Sequence, residues 1–200
     1  MFFSYGRAET DYLSARDPAL GAAIARIGHI DRAVFPDLFE ALINSIAGQQ
    51  ISGKALATVW ARLCAAVGAV TPENLLAAGE ERLRACGFSG RKVNYMLSAA
   101  RAVADGALDI HRLVEKDDQE VIRTLTALPG VGRWTAEMLL TFSLQRPDVL
   151  AYDDFGIRKG LCRLYGLDSV SKAQFAAYRA RYAPYATVAA LYLWHIAAEP

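Results

Sequence analysis

The sequence predicts an all-α protein, and three observations carry that prediction. Alanine and leucine abound while runs of β-branched residues are scarce, a composition that favours helices and gives strands little to build on. Apolar residues recur at helical spacing, as in Leu56, Val59, Trp60, Leu63, Cys64 and Val67, which puts them on one face of a helix as a core stripe. Helix-start signatures punctuate the chain, among them Asp17-Pro18, Thr71-Pro72-Glu73 and Ser171-Lys172-Ala173-Gln174, each a cap that can accept an orphan backbone N–H.

Taken in order, Asp17-Pro18 opens a helix that runs to about Ile27 and stops at Gly28-His29, with proline at the first helical position. Phe35-Pro36-Asp37 leads into a helix with Leu38, Leu42, Ile43 and Ile46 on one face, ending near Gly48-Gln49-Gln50-Ile51-Ser52. The striped helix around Leu63 comes next. Thr71 caps a short helix, Glu80 to Cys86 forms another, and Gly87 closes it. Phe88-Ser89-Gly90-Arg91-Lys92 begins a longer helix to about Ala104, stopped by Asp105-Gly106, and His111 to Val114 makes a brief turn of helix. Asp117 or Asp118 caps the next helix, which runs into Leu128, and another spans Arg133 to Leu144. Val149-Leu150-Ala151-Tyr152 is a short extended run that delivers Asp153 and Asp154 to the start of a helix through Leu164. After the Ser171 helix, a last one from about Tyr185 to Ala198 is apolar nearly all round, which predicts burial. The architecture expected is ten or so helices in two interleaved lobes.

Composition bounds the class. With 200 residues and 54% hydrophobic content the chain has ample material for a core. No apolar run is long and charge-free enough to cross a bilayer, and Met1 to Arg7 lacks the order of a secretory signal. The cytoplasm is the expected compartment, with no membrane partner. The three cysteines, Cys64, Cys86 and Cys162, have no metal-ligand spacing and read as buried small hydrophobes. A net charge of +1 gives no broad basic field, yet it leaves room for a protein that grips a few phosphates through backbone amides.

The chemistry concentrates in two places. Leu128-Pro129-Gly130-Val131-Gly132-Arg133-Trp134-Thr135-Ala136 joins two helices through a turn with two glycines. Glycine admits positive φ and close approach of another molecule, and the second helix begins with N–H groups that suit an anionic oxygen. The stretch reads as a phosphate clamp. Beyond it, Asp153 and Asp154 follow an apolar run, so one can cap a helix while the other faces a cleft. An aspartate there can stabilise an oxocarbenium-like sugar, the electrostatic part of glycoside cleavage.

The order of Gly48-Gln49-Gln50-Ile51-Ser52, then the Pro-Gly-Val-Gly turn, then Asp153-Asp154 resembles the helix-hairpin-helix superfamily of DNA glycosylases, and within it the 3-methyladenine DNA glycosylase II type. The resemblance covers roughly residues 35 to 197 and implies an active-site cleft between the two lobes. It makes residues 1–34 a short N-terminal extension of a single domain over 1–200. Longer members carry a further N-terminal domain, and no separate β domain is expected here. The second aspartate of the pair is catalytic in that branch, which points to Asp154. Gln50 matches the intercalating residue, next to Gln49, where the nearest pattern has leucine. Trp134 and Trp194 match pocket tryptophans, Phe155 an aromatic beside the catalytic aspartate, and Met138 a position often held by tyrosine. Together they form the expected base pocket, where aromatic faces attract a cationic alkylated base by about 0.5–2 kcal/mol. Gly130, Val131, Gly132, Arg133 and Thr135 form the implied phosphate-binding set, with Arg158, Lys159 and Ser89-Gly90-Arg91-Lys92 as further candidates.

Two departures from sister branches sharpen the reading. Bifunctional members carry a Schiff-base lysine where this chain has Trp134, so a lyase step has no obvious agent. Iron–sulfur members end in four clustered cysteines, whereas no cysteine follows Cys162. No cofactor and no metal are expected, apart from a monovalent cation that the resemblance allows at the hairpin backbone. The expected protein is a monomeric, monofunctional glycosylase that hydrolyses the N-glycosidic bond of alkylated bases in double-stranded DNA. The alternatives are a non-catalytic DNA-binding module and a glycosylase for deaminated or mismatched bases.

Overall fold

The computed structural model describes all 200 residues. They form eleven α-helices and one 3-10 turn, with a single isolated antiparallel bridge between Phe2 and Ala33. The helices are α1 Arg7–Arg16, α2 Pro18–Ile27, α3 Leu38–Gly48, α4 Gly53–Val67, α5 Pro72–Ala85 and α6 Gly90–Ala104, then after the 3-10 turn His111–Glu115, α7 Asp118–Thr126, α8 Arg133–Phe142, α9 Phe155–Tyr165, α10 Lys172–Tyr182 and α11 Ala186–Ala198. Eight of them start on a Ser, Thr or Asp whose side chain accepts a first-turn amide: Asp17, Asp37, Ser52, Thr71, Ser89, Asp117, Asp154 and Ser171. Such caps are each worth about 1 kcal/mol. No single helix is long and apolar enough to cross a membrane.

Two compact units divide the chain, Met1–Val34 with Leu140–Pro200 forming one and Phe35–Leu139 the other. In the Phe35–Leu139 unit, α5 packs on α6, and α3 on both α4 and α6. The core there holds Leu42, Ile43, Ile46, Leu63, Leu75, Leu83, Val93, Met96, Leu113 and Leu125. In the unit made from both ends of the chain, α11 packs against α9 and α2, and α1 against α2. Leu13, Leu20, Leu161, Tyr182, Ala189, Tyr192 and Leu193 are buried within it. The expected burial of α11 holds for ten of its residues, from Ala186 to Ala197.

Two expectations need correcting, on α4 and on the cysteines, and the first helix went unread. Residues 1–34, read as a short extension, build α1 and α2 within the unit that carries Asp154. Helix α1 escapes periodicity because its sequence is polar nearly all round and buries only Leu13. The stripe on α4 seals only Leu63, while Leu56, Val59 and Trp60 stay half-buried. Of the cysteines only Cys86 is fully buried. The two short helices read around Thr71 and Glu80 do occur, as one element broken at Gly79, where φ is 68°.

Candidate active site

The hairpin lies in the Phe35–Leu139 unit. Asp117 caps α7 by accepting the Glu120 amide at 2.8 Å. The helix stops at Thr126, and Leu128 N–H and Val131 N–H then close successive turns onto Leu125 O and Leu128 O. Gly130 sits at φ 81°, and a Cβ on it would stand 2.1 Å from the Tyr95 ring of α6. Both facts demand glycine. Gly132 is different, since its φ is not positive and a Cβ there would meet nothing within 4 Å. Its carbonyl accepts the Ala136 amide, so it begins α8, whose first turn presents N–H groups with no intrahelical acceptor. Val131 and Thr135 are buried, and Arg133 is tied along the helix to Glu137 at 2.9 Å. What this hairpin offers a phosphate is backbone rather than free cationic side chains. A monovalent cation would meet the turn's carbonyls. Leu128 O and Gly130 O already accept protein hydrogen bonds, and each keeps a second lone pair for an ion.

The two glutamines separate in the same unit. Gln49 donates its side-chain amide to Gly130 O at 2.8 Å, bracing the hairpin. Gln50 is exposed, with φ 57°, a conformation uncommon outside glycine. Of the pair read as intercalating, Gln50 therefore projects and Gln49 is engaged. Lys92, in the Ser89-Gly90-Arg91-Lys92 helix start read as a further phosphate site, donates to Ala47 O at 2.7 Å at the end of α3, and burial pushes its ammonium below the ordinary value. Spacing gave no sign of these ties, because each joins segments far apart in the chain.

In the other unit, Thr187 anchors the approach to Asp154. Its hydroxyl donates to Arg146 O at 2.6 Å and accepts the Val149 amide at 2.9 Å. Val149, Leu150 and Ala151 are buried, which fixes the segment that ends at the aspartates. Asp153 is exposed and Asp154 is 7% exposed. One aspartate of the pair caps and the other is exposed, and the cap is the one that the resemblance makes catalytic. Asp154 is itself the cap: its Oδ1 accepts the Ile157 amide at 2.8 Å and the Trp194 indole N–H at 2.9 Å.

That second bond depends on two glycines. A Cβ at Gly156 would stand 2.7 Å from Trp194 Cδ1, and one at Gly160 would stand 2.2 Å from Leu193 O. Spaced four apart, they share one face of α9 and let α11 come close enough for the indole to reach the carboxylate. Small residues at this spacing are a legible signal that the sequence reading passed over. Trp194 is half-buried and packs on Phe142, centroids 5.4 Å apart. Phe155, next to Asp154, is 73% exposed. Trp134 on α8 is 41% exposed, and Met138, one turn on, is half-buried. Exposed aromatic faces such as that of Phe155 can take a flat ligand. Arg158 lies over the Tyr152 ring at 5.5 Å rather than standing free.

The chain matches the HhH-GPD superfamily of base excision DNA repair proteins over residues 43–184, a stretch that contains the Gln49–Gln50 turn, the hairpin and Asp154. It is 37% identical over 161 residues to DNA-3-methyladenine glycosylase 1 of Schizosaccharomyces pombe, covering 78% of this chain and 71% of that protein. The fold superposes on the crystal structure of DNA-3-methyladenine glycosidase from Bacillus halodurans with a TM-score of 0.88 at 37% identity, covering 99% of this chain and 93% of that one. A Schizosaccharomyces pombe 3-methyladenine DNA glycosylase in complex with abasic DNA superposes with a TM-score of 0.85 at 33% identity, over 94% and 95% of the two chains. A glycine-turned hairpin and a helix-capping, indole-bound aspartate, in a chain whose match runs over residues 43–184, mark this protein as a member of the HhH-GPD superfamily of base excision DNA repair proteins.

Proposed function

We propose that this protein is a monofunctional DNA glycosylase that excises alkylated bases, 3-methyladenine and related N-alkylpurines, by hydrolysing the N-glycosidic bond. The observation that carries the reading is Asp154, a buried carboxylate held by two donors on one oxygen at the start of α9. Burial of such a group is costly unless it is hydrogen-bonded, and fixed donors keep it in place for charge that develops elsewhere. Alkylation of a ring nitrogen makes the base a cation. Its glycosidic bond breaks with the electron pair leaving on the base, which departs neutral, while positive charge passes to the sugar. Asp154 stabilises that charge, and water adds at the anomeric carbon and gives its proton to solvent.

Access requires the target base to leave the stack, at a cost of a few kcal/mol. Gln50 is the residue suited to fill the gap, and the hairpin amides to hold the strand. Trp134, Met138, Phe155 and Trp194 are the side chains suited to the extruded base, whose positive charge favours aromatic faces. Trp134 stands where sister enzymes carry a nucleophilic lysine, so the product is an abasic site in an intact strand.

The Asp154–Ile157 cap favours a second reading, a DNA-binding module in which Asp154 is structural. Asp154→Asn separates the two, because asparagine caps a helix as well as aspartate does and removes only the charge. Under the glycosylase reading the variant binds methylated duplex DNA like wild type and releases no base. If wild type frees no base from any of a panel of methylated, deaminated and mismatched duplexes, the module reading stands. Release confined to deaminated or mismatched duplexes identifies a different glycosylase.

A further inference from the structure

The segment between α2 and α3 carries Arg32, and its backbone is pinned: Arg32 O accepts the Phe3 amide at 2.8 Å, Val34 N–H reaches Met1 O at 3.2 Å, and Phe2 pairs with Ala33. From this fixed point the Arg32 guanidinium lies 5.0 Å from the Phe142 ring centroid and 5.8 Å from that of Trp194. It meets rings rather than a carboxylate. The Phe142 and Trp194 rings are themselves 5.4 Å apart, so one planar cation covers both. A cavity of about 210 Å³ opens at the same place, lined by Ile30, Arg32, Leu191, Trp194, His195 and Ala198.

We infer that Arg32 is a positioning residue for base release. It acts through Trp194, whose N–H holds Asp154 Oδ1 at 2.9 Å. The cation fixes the indole plane by attraction to its face. It also draws electron density from the ring and strengthens the N–H as a donor to the carboxylate. The aspartate is thereby held in one orientation before the sugar charge develops, which is where preorganisation acts on rate. The inference rests on Asp154 being the reacting carboxylate proposed above.

A double-mutant cycle on the full-length protein tests it, with single-turnover excision from an N-methylpurine duplex as the readout. Arg32→Met keeps the stem and removes the charge, and about a three- to tenfold fall in the rate constant is expected, with DNA affinity unchanged. Arg32→Lys restores part of the rate. In a Trp194→Phe background, Arg32→Met costs nothing further, because the group it acts through is gone. A wild-type rate for Arg32→Met overturns the inference, as do fully multiplicative effects in the cycle, a loss confined to DNA affinity, or a rate loss that tracks unfolding at the assay temperature. Absence of base release by wild type overturns the glycosylase reading instead, and this inference with it.

Discussion

Trp194 and Asp154 are joined by an indole N–H bond of 2.9 Å onto the oxygen that also accepts the Ile157 amide. One oxygen thus serves both the helix start and the aromatic wall. Trp194→Phe keeps a ring against Phe142 and removes only the donor. A hydrogen bond to a charged acceptor is worth about 1.5–3 kcal/mol, so the excision rate is expected to fall about ten- to a hundredfold. The bond exists before any reaction, so thermal stability should fall as well. Single-turnover rates measured well below the melting transition separate the two losses, and a wild-type rate rules out a role for the indole.

The two glycines of α9 predict different failures. A methyl at Gly160 meets the Leu193 carbonyl, which is backbone and cannot swing away. Overpacking of this kind costs about 1–3 kcal/mol, so Gly160→Ala should lose stability in urea unfolding. A methyl at Gly156 meets the Trp194 ring and Asp154 Oδ1, and the half-buried indole can yield. Gly156→Ala should therefore keep most of its stability and lose excision rate. Equal losses of stability in both variants contradict this division.

Local chemistry made most helices legible: caps, proline at the first turn and apolar stripes are properties of neighbouring residues. The hairpin and the aspartate pair were legible for the same reason, while the choice of Asp154 within the pair came from the family resemblance. Helix α1 was not, because its ten residues bury one leucine and owe their helix to packing against α2. Nor was the engagement of Gln49 and Lys92, which requires knowing that α3 ends beside the hairpin and α6. Trp194 stood in a helix apolar all round, where sequence favours core over site. Its partner Arg32 lay in a segment read as an extension. Each of these is a long-range contact that local pattern does not encode.

Stability should fall at both ends of the pH scale, for reasons on opposite sides of one cluster. Burial works to raise Asp17, but the Leu20 amide, the Tyr165 hydroxyl at 2.5 Å and Arg181 at 2.8 Å more than offset it and hold the carboxyl below its ordinary value. A carboxyl depressed by folding contributes stability above its unfolded pKa of about 4, and that contribution is lost as pH falls through the folded value. Tyr165 and Tyr182, hydroxyls 2.6 Å apart, are raised chiefly by burial. Their contribution is intact below about pH 10 and declines above it, since the unfolded tyrosines ionise first. Urea midpoints across the pH range should be flat in the middle. Asp17→Asn should flatten the acid limb, and Tyr165→Phe should soften the alkaline one.

The hairpin glycines give the sharpest separation of fold from function. At Gly130 the left-handed φ of 81° and the Tyr95 ring both oppose a side chain, so Gly130→Ala should destabilise by about 2–4 kcal/mol. Gly132 has neither constraint, and Gly132→Ala should change unfolding by less than about 0.5 kcal/mol. Its methyl would nonetheless stand over open space at the start of α8, where a phosphate would approach the amides. Affinity for duplex DNA should therefore drop several-fold in Gly132→Ala while its melting temperature stays that of wild type. Binding measured at two salt concentrations gives a further test. If the amides hold the phosphate, the change removes a backbone contact rather than a cation, and the salt slope should stay as in wild type. Unaltered affinity in a folded Gly132→Ala protein would show that DNA does not contact the hairpin there.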